Sequence, residues 1–232
     1  MAMTVAKIDA REGGASLAPL GRVARKREAI RARLLEAGYE QAGRRGLDGI
    51  VISDLTEAAD CSKGAFYLHF DNRDAFIAAL INDALEPVGC ALDAFGENQP
   101  ADIALATGLR YTLALALQNP AWGAFVSAAT RAADPMTQGF GRRIIADILR
   151  GREAGIFRYD DMGGALLMAG GVFLAGTIGA LAGALTPQSP SEATRHVLLA
   201  LGVPEARAAM IAEAPLPPLK FQSGLVAPLA AG

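Results

Sequence analysis

The chain has 232 residues, 52% hydrophobic and 20% charged, a composition that supplies a substantial core and excludes a disordered tail or a fibrous repeat. Its formal net charge of −2 excludes a broadly basic protein that coats nucleic acid by charge alone. Cys61 and Cys90 make neither a disulfide framework nor a CxxC zinc set, and Lys7, Asp9, Arg11 and Glu12 break any secretory apolar run, so a cytoplasmic protein is expected.

Residues 1–21 are rich in Gly, Ala and Pro without a sustained period and read as a flexible arm. A first helix is expected from about Arg25 to Arg44, with Ile30, Leu34 and Ala37 at helical spacing and Gly46 beyond its end. Ser53 to Ala59 reads as a short second helix capped at Ser53. After a tight Asp60-Cys61 turn, in which Asp tolerates the left-handed conformation, Ser62 caps a third helix from Lys63 to Phe70. A fourth begins near Asn72 and runs to Leu85, where Pro87 is expected to bend or interrupt it.

Beyond Pro87 a capping residue followed by Pro recurs at Asn119-Pro120, Asp134-Pro135 and Ser189-Pro190, the last with Glu192 completing a capping box. Gly155 sits where the helix through Ile144, Ile148 and Arg152 should stop. Gly163 to Leu185 carries no charge over 23 residues, long enough for a membrane span, yet Gly and Ala fill more than half of it and its basic flanks, Arg158 and Arg195, lie outside. Leu167, Leu174, Ile178, Leu181 and Leu185 share one face, beside a smooth strip of Gly164, Gly171, Ala175, Gly179 and Ala182, and a soluble helix buried on more than one side is the preferred reading. No segment alternates at period two. The expected fold is all-α: an N-terminal helix-turn-helix unit over 22–70, a larger helical bundle over 71–213 and a loosely ordered tail over 214–232.

No HExxH, GxSxG, Walker loop or strand-to-helix GxGxxG occurs, and His69 and His196 cannot make a three-His metal site. No enzyme, metal or cofactor is therefore expected. Two short helices about a tight turn, packed on a longer one, form a helix-turn-helix candidate whose third helix can enter a major groove about 12 Å wide. Leu55, Ala59, Cys61, Phe66 and Phe70 supply its apolar contacts, and Lys63 and Tyr67, four apart, share another part of the short helix.

The stretch Asp54 to Leu80, with Ser62-Lys63-Gly64, Tyr67 and His69-Phe70 at its centre, resembles the DNA-binding signature of TetR-type bacterial transcriptional regulators. Ile148 to Arg158 resembles that family's Gly-x-Phe turn before its dimer-forming helices. The resemblance implies that Lys63, Gly64 and Ala65 face bases, and that Tyr67, His69, Asn72 and Arg73 hold phosphates. Where the family often places Ser or Thr before its second helix, this chain has Ile50-Val51-Ile52, and Ser53 is expected to take over the cap. Asp60 replaces the usual turn Gly, and Gln41-Ala42 replaces bulky apolar residues. Arg22, Arg25, Lys26 and Arg27 are placed to reach phosphates or a minor groove.

The same resemblance implies a homodimer on a palindromic double-stranded DNA operator, more often repressing than activating, and a small-molecule effector in the larger domain whose binding releases DNA. Phe95, Tyr111, Trp122, Phe125, Phe140 and Phe173 are candidate pocket walls for an apolar or amphipathic ligand, about a third of them expected to line a cavity rather than pack in the core. Arg110 and Arg131 are candidate partners for an anionic group. Gly164, Gly171, Ala175, Gly179 and Ala182 form the candidate dimerisation strip. The alternative is a helical interaction or membrane-associated protein that uses residues 163–185.

Overall fold

The computed structural model describes residues 21–132, 139–223 and 225–229, without the side chains of 130–132. The expected arm, the Asp134-Pro135 cap and the side chain of Arg131 lie outside the described residues. In chain order the helices are α1 (Arg22–Arg45), a one-turn 3-10 segment (Leu47–Gly49), α2 (Ile52–Ala58), α3 (Lys63–Tyr67), α4 (Arg73–Gly96) and α5 (Ala101–Gln118). They continue as α6 (Pro120–Ala132), α7 (Gly139–Glu153), α8 (Met162–Leu181), α9 (Ser189–Ala200) and α10 (Glu205–Glu213), with no strand among the described residues.

The first three helices enclose Leu34, Ile50, Leu55, Ala59 and Phe66, and α4 closes that core with Phe76 and Leu80. Phe66, Phe70 and Phe76 form an aromatic cluster with centroids 5.0–5.7 Å apart. Gly38 permits the approach of α1 to α4: a Cβ there would lie 2.7 Å from Phe76 Cζ. In the larger unit α5 is the buried axis, surrounded by α4, α6, α7, α8, α9 and α10. Arg207 ties α10 to the fully buried Asp102 of α5, and Phe157, after the left-handed Gly155, folds back against Gly151.

Several boundaries differ from the sequence expectation. α4 runs through Pro87 to Gly96, because Ala84, Leu85, Val88 and Leu92 are buried on both sides of the proline and packing outweighs the lost hydrogen bond. The third helix ends at Tyr67, not Phe70. Ser53 lies inside α2, whose cap is Val51 without a side-chain bond; the Val51 N–H instead donates to the buried Gln41 Oε1 at 3.0 Å. Ser189 caps nothing on α9 but accepts from the Thr186 N–H at 3.0 Å, so the box with Glu192 is not formed. Asn119, Ser62 and Asn72 are side-chain caps for α6, α3 and α4, and Asp60 adopts φ +46°.

Described residues of the expected loose tail pack on the bundle. Leu219, Val226 and Leu229 are buried, the Leu229 N–H donates to Tyr111 Oη at 2.9 Å, and Asn119 Nδ2 donates to the Leu225 carbonyl at 3.2 Å. Its prolines spare backbone donors, and the Phe221 ring meets Tyr111 of α5 edge-on at 6.4 Å. The helix expected to be buried on more than one side is covered on one. Ala165, Ala169, Phe173 and Thr177 of α8 face inward, while Leu167 is 79% and Ile178 51% exposed. By length and hydropathy α4 and α8 are both capable of crossing a membrane.

Two glycines of α1 predict opposite outcomes. Gly38→Ala should lower the unfolding free energy by about 1–3 kcal/mol through overpacking against Phe76. Gly43→Ala, with open space around the added carbon, should raise it by about 0.5–1 kcal/mol through helix propensity. Urea unfolding of the two variants measures both signs.

Candidate nucleic-acid interface and effector cavity

The recognition-type helix α3 is short and therefore held from outside. Ser62 Oγ accepts the Ala65 N–H at 3.1 Å, Phe66 is fully buried beneath, and Arg27 Nη2 donates to the Leu68 carbonyl at 2.7 Å just past its end. The turn before it is closed by the Cys61 N–H on the Thr56 carbonyl at 2.9 Å. Lys63, Gly64 and Tyr67 then stand exposed on one surface with Ala65 half-buried between them. Gly64 adds no bulk there, and no Cβ at that position would meet more than Ser62 Oγ, at 3.7 Å. Arg25, Lys26 and Ser53 are also exposed, and Arg45 pairs with Asp54 at 3.0 Å across α1 and α2.

Two expected phosphate ligands have other environments. The Arg73 guanidinium is spent inside the protein: Nε donates to the Ile50 carbonyl at 2.8 Å and Nη2 to the Asp48 and Leu47 carbonyls at 2.6 and 3.1 Å. Arginine fits this place because its planar fork satisfies several carbonyls of the loop before α2 at once. His69 is half-buried; burial, then Arg27 and Arg31, push its pKa below the ordinary imidazole value, so in the free chain it is neutral at neutral pH. Asn72 Oδ1 is occupied by the Ala75 N–H at 2.8 Å. Gln41, which sequence reasoning treated only as a departure, is the residue that holds the start of α2.

A cavity of about 320 Å³ lies between α4, α5, α7 and α8. Leu105, Leu109, Ile144, Phe140 and Phe173 give it apolar walls. Of the six predicted aromatics, Phe140 and Phe173 line it. Tyr111, Trp122 and Phe125 are core: Tyr111 accepts from the tail, Trp122 Nε1 donates to the Ala84 carbonyl at 3.3 Å, and Phe125 meets Tyr39 edge-on. Phe95 is partly buried against the core and is not a lining residue. Arg110 does not reach the cavity either; it donates to Ser191 Oγ and the Ile211 carbonyl, tying α5 to α9 and α10.

The polar wall was missed in the sequence. Arg143, buried, donates through Nε to both Asp93 oxygens at 3.0 Å and through Nη2 to Glu86 Oε1 at 2.8 Å, clamping α7 to α4. Gly89 admits it, since a Cβ there would lie 2.3 Å from Arg143 Cζ. The Arg143 hydrogen bonds hold the Glu86 carboxyl below the usual carboxylate range. Burial pushes Asp147 up, opposed by Arg150, which sits 2.9 Å from it. The available signal was spacing: Arg143, Asp147 and Arg150 fall at i, i+4 and i+7 on one face of α7.

The His69 environment carries a pH prediction. Its folded pKa lies below the unfolded value near 6.5, so the unfolded chain binds more protons and stability falls as pH drops through about 6.5. His69→Gln should remove that part of the loss, so the difference in Tm between wild type and variant should change between pH 7.5 and 5.5. An unchanged difference over that range overturns the assignment.

Comparison with known proteins matches both units. Residues 34–80 match the bacterial regulatory proteins of the tetR family, and residues 99–214 match the tetracyclin repressor-like C-terminal domain. The chain is 40% identical over 50 residues to the HTH-type transcriptional repressor DhaR of Mycobacterium sp. (strain GP1), covering 22% of this chain and 25% of that protein. It is 39% identical over 56 residues to the uncharacterized HTH-type transcriptional regulator YwcC of Bacillus subtilis (strain 168), covering 24% and 25%. These alignments span about a quarter of the curated relatives' length. RolR in complex with the ligand resorcinol is similar at TM-score 0.65 and 29% identity, over 85% of this chain and 100% of that one. FadR from Bacillus subtilis in complex with stearoyl-CoA shares the fold at TM-score 0.56 and 16% identity, over 73% and 96%. A matched helix-turn-helix unit joined to a matched C-terminal domain makes this chain a member of the TetR family, a DNA-binding transcriptional regulator and not an enzyme.

Proposed function

We propose that the chain is a cytoplasmic, homodimeric repressor that binds a palindromic operator and leaves it when a small amphipathic effector enters the cavity. The observation that carries this reading is a rigidly capped, outward-facing Lys63-Gly64-Tyr67 surface joined by the single helix α4 to that cavity. In this reading Lys63, Gly64 and Ala65 meet base edges, and Tyr67, His69 and Asn72 meet phosphates. Arg25, Lys26 and Ser53 add backbone contacts, whereas Arg73 serves the internal loop.

The cavity walls support a compact effector with an apolar, flat body and hydrogen-bonding substituents. Phe140 and Phe173 suit the body, and Asp93, Asp147 and Arg143 suit the substituents. RolR is described with resorcinol, a ring bearing two hydroxyls, and that compound is the natural first probe. The outer face of α8 supports the dimer. Gly164, Leu167, Gly171, Ala175, Ile178 and Ala182 are exposed at helical spacing, and the space around Gly171 is open, whereas Leu185 of the same chain lies 3.2 Å from a Cβ at Gly179. We assign that face to a second copy rather than to lipid.

The DNA experiment incubates ligand-free protein and Lys63→Ala with a random duplex library at moderate salt and sequences the bound fraction. Wild type should enrich a palindrome, and Lys63→Ala should lose affinity by about 1–3 kcal/mol while remaining folded. Resorcinol added to the operator complex should then lower operator affinity, and no response would remove this effector class while leaving the DNA reading intact. For the dimer, Leu167→Glu combined with Ile178→Glu should sediment as a detergent-free monomer, whereas wild type sediments as a dimer. Wild type recovered only in detergent would favour the membrane reading.

A further inference from the structure

Three contacts close a ring around the middle of α4, where the two units meet. Tyr39 on α1 donates its hydroxyl to Asp83 Oδ2 on α4 at 2.6 Å, and its ring meets Phe125 on α6 edge-on at a centroid distance of 5.6 Å. Trp122, three residues before Phe125 on the same side of α6, donates to the carbonyl of Ala84. Asp83 and Ala84 are consecutive, so α1 and α6 grip α4 at adjacent residues and grip each other through Tyr39 and Phe125.

The position of that grip matters. Pro87 has no N–H, so the Asp83 carbonyl four residues earlier loses its helical partner, and the connecting helix is weakest in the turn that Tyr39 and Trp122 hold. Trp122 also faces the cavity side: its ring meets Phe140 at 5.9 Å, Phe140 lies 5.6 Å from Phe173, and both phenylalanines line the cavity. On the other side, Tyr39 belongs to α1, the helix that holds the end of α3 through Arg27. Burial first, then the Asp83 carboxylate, push the Tyr39 hydroxyl far above its ordinary pKa, so it remains a donor throughout the physiological range.

We propose that Tyr39 is the positioning residue that couples the cavity to the DNA-binding unit, its bond to Asp83 and its contact with Phe125 passing a displacement of α6 on to α1 at the proline-weakened turn of α4. The proposal rests on the regulator reading, and its test needs no effector. Trp122 is the chain's single tryptophan and sits in the ring itself. Coupling is reciprocal, so a joint that carries cavity binding to the operator also carries operator binding back to α6, where Trp122 is placed to report it.

The experiment uses full-length protein and the operator enriched by wild type, reading operator affinity by anisotropy and Trp122 by emission and acrylamide quenching. In wild type, saturating operator should shift the Trp122 signal. Tyr39→Phe should bind operator within about threefold of wild type yet lose about half or more of that shift. Asp83→Asn, whose amide oxygen still accepts the hydroxyl hydrogen, should retain the shift. Phe125→Leu, which spares the hydrogen bond but removes the ring edge, should lose it. A purely structural role for Tyr39 would lower Tm and leave the shift in place. A silent Trp122 in wild type, a full response in Tyr39→Phe, or loss of DNA binding by Tyr39→Phe overturns the joint alone. A wild-type chain that is folded and enriches no DNA overturns the regulator reading and the joint with it.

Discussion

Everything in this protein depends on one helix having two cores to serve. α4 is 24 residues long, roughly 36 Å, and a single apolar stripe runs its length. Phe76 and Leu80 complete the small N-terminal core, while Ala84, Val88 and Leu92 belong to the bundle. A unit of some fifty residues buries too little surface to be comfortably stable alone, so the helix-turn-helix unit depends on a helix whose other half is anchored elsewhere. The same dependence makes the orientation of that unit a property of α4. Pro87 lies near the middle of this shared element, one turn after Asp83 and Ala84, which Tyr39 of α1 and Trp122 of α6 hydrogen-bond.

Six of the eighteen arginines fasten one element to another. Arg27, Arg73, Arg110, Arg143, Arg150 and Arg207 all donate to carbonyls or carboxylates of other elements. These guanidiniums fasten helices through a planar fork of donors whose fixed geometry an ammonium does not offer. Arg207 and Asp102 form a pair whose carboxylate is fully buried while the guanidinium is partly exposed, so removing Arg207 would strand the Asp102 charge. On the face proposed to meet DNA, the exposed cations include Lys63 on α3 and Arg22, Arg25 and Lys26 at the start of α1. Recognition in such a surface relies on the geometry of a short, well-held helix more than on a broad positive field.

The bundle divides its apolar surface between inside and outside on the same helix. Gly176 of α8 lets Leu113 come within 2.7 Å of where a Cβ would lie, which seats that helix on α5. Its opposite face keeps small and aliphatic side chains in the open. The cavity next to it has one apolar side and one ionic side, and the ionic side is the clamp between α7 and α4. The carboxylates and guanidinium of that ionic side already bridge the two helices.

The amino-acid sequence alone determined the helical class, the turn at Asp60, the caps at Ser62 and Asn119, the start of the fourth helix near Asn72, the stop at Gly155 and the Ser62 to Phe70 signature, because each depends on residues within one or two helical turns. Periodicity also found Phe140 and Phe173, but it could not separate them from Tyr111, Trp122 and Phe125, since lining a cavity and filling a core demand the same apolar spacing. Only the tertiary structure decided that α4 passes through Pro87, that Arg73 turns inward, that the proline-rich tail packs on Tyr111 and that one face of α8 stays open. The inward turn of Arg73 is settled by partners 23 to 26 residues away, and Tyr111 and Leu229 are separated by 118 positions. Local propensity and capping are written in neighbouring residues, whereas the worth of a buried contact exists only once distant segments have met.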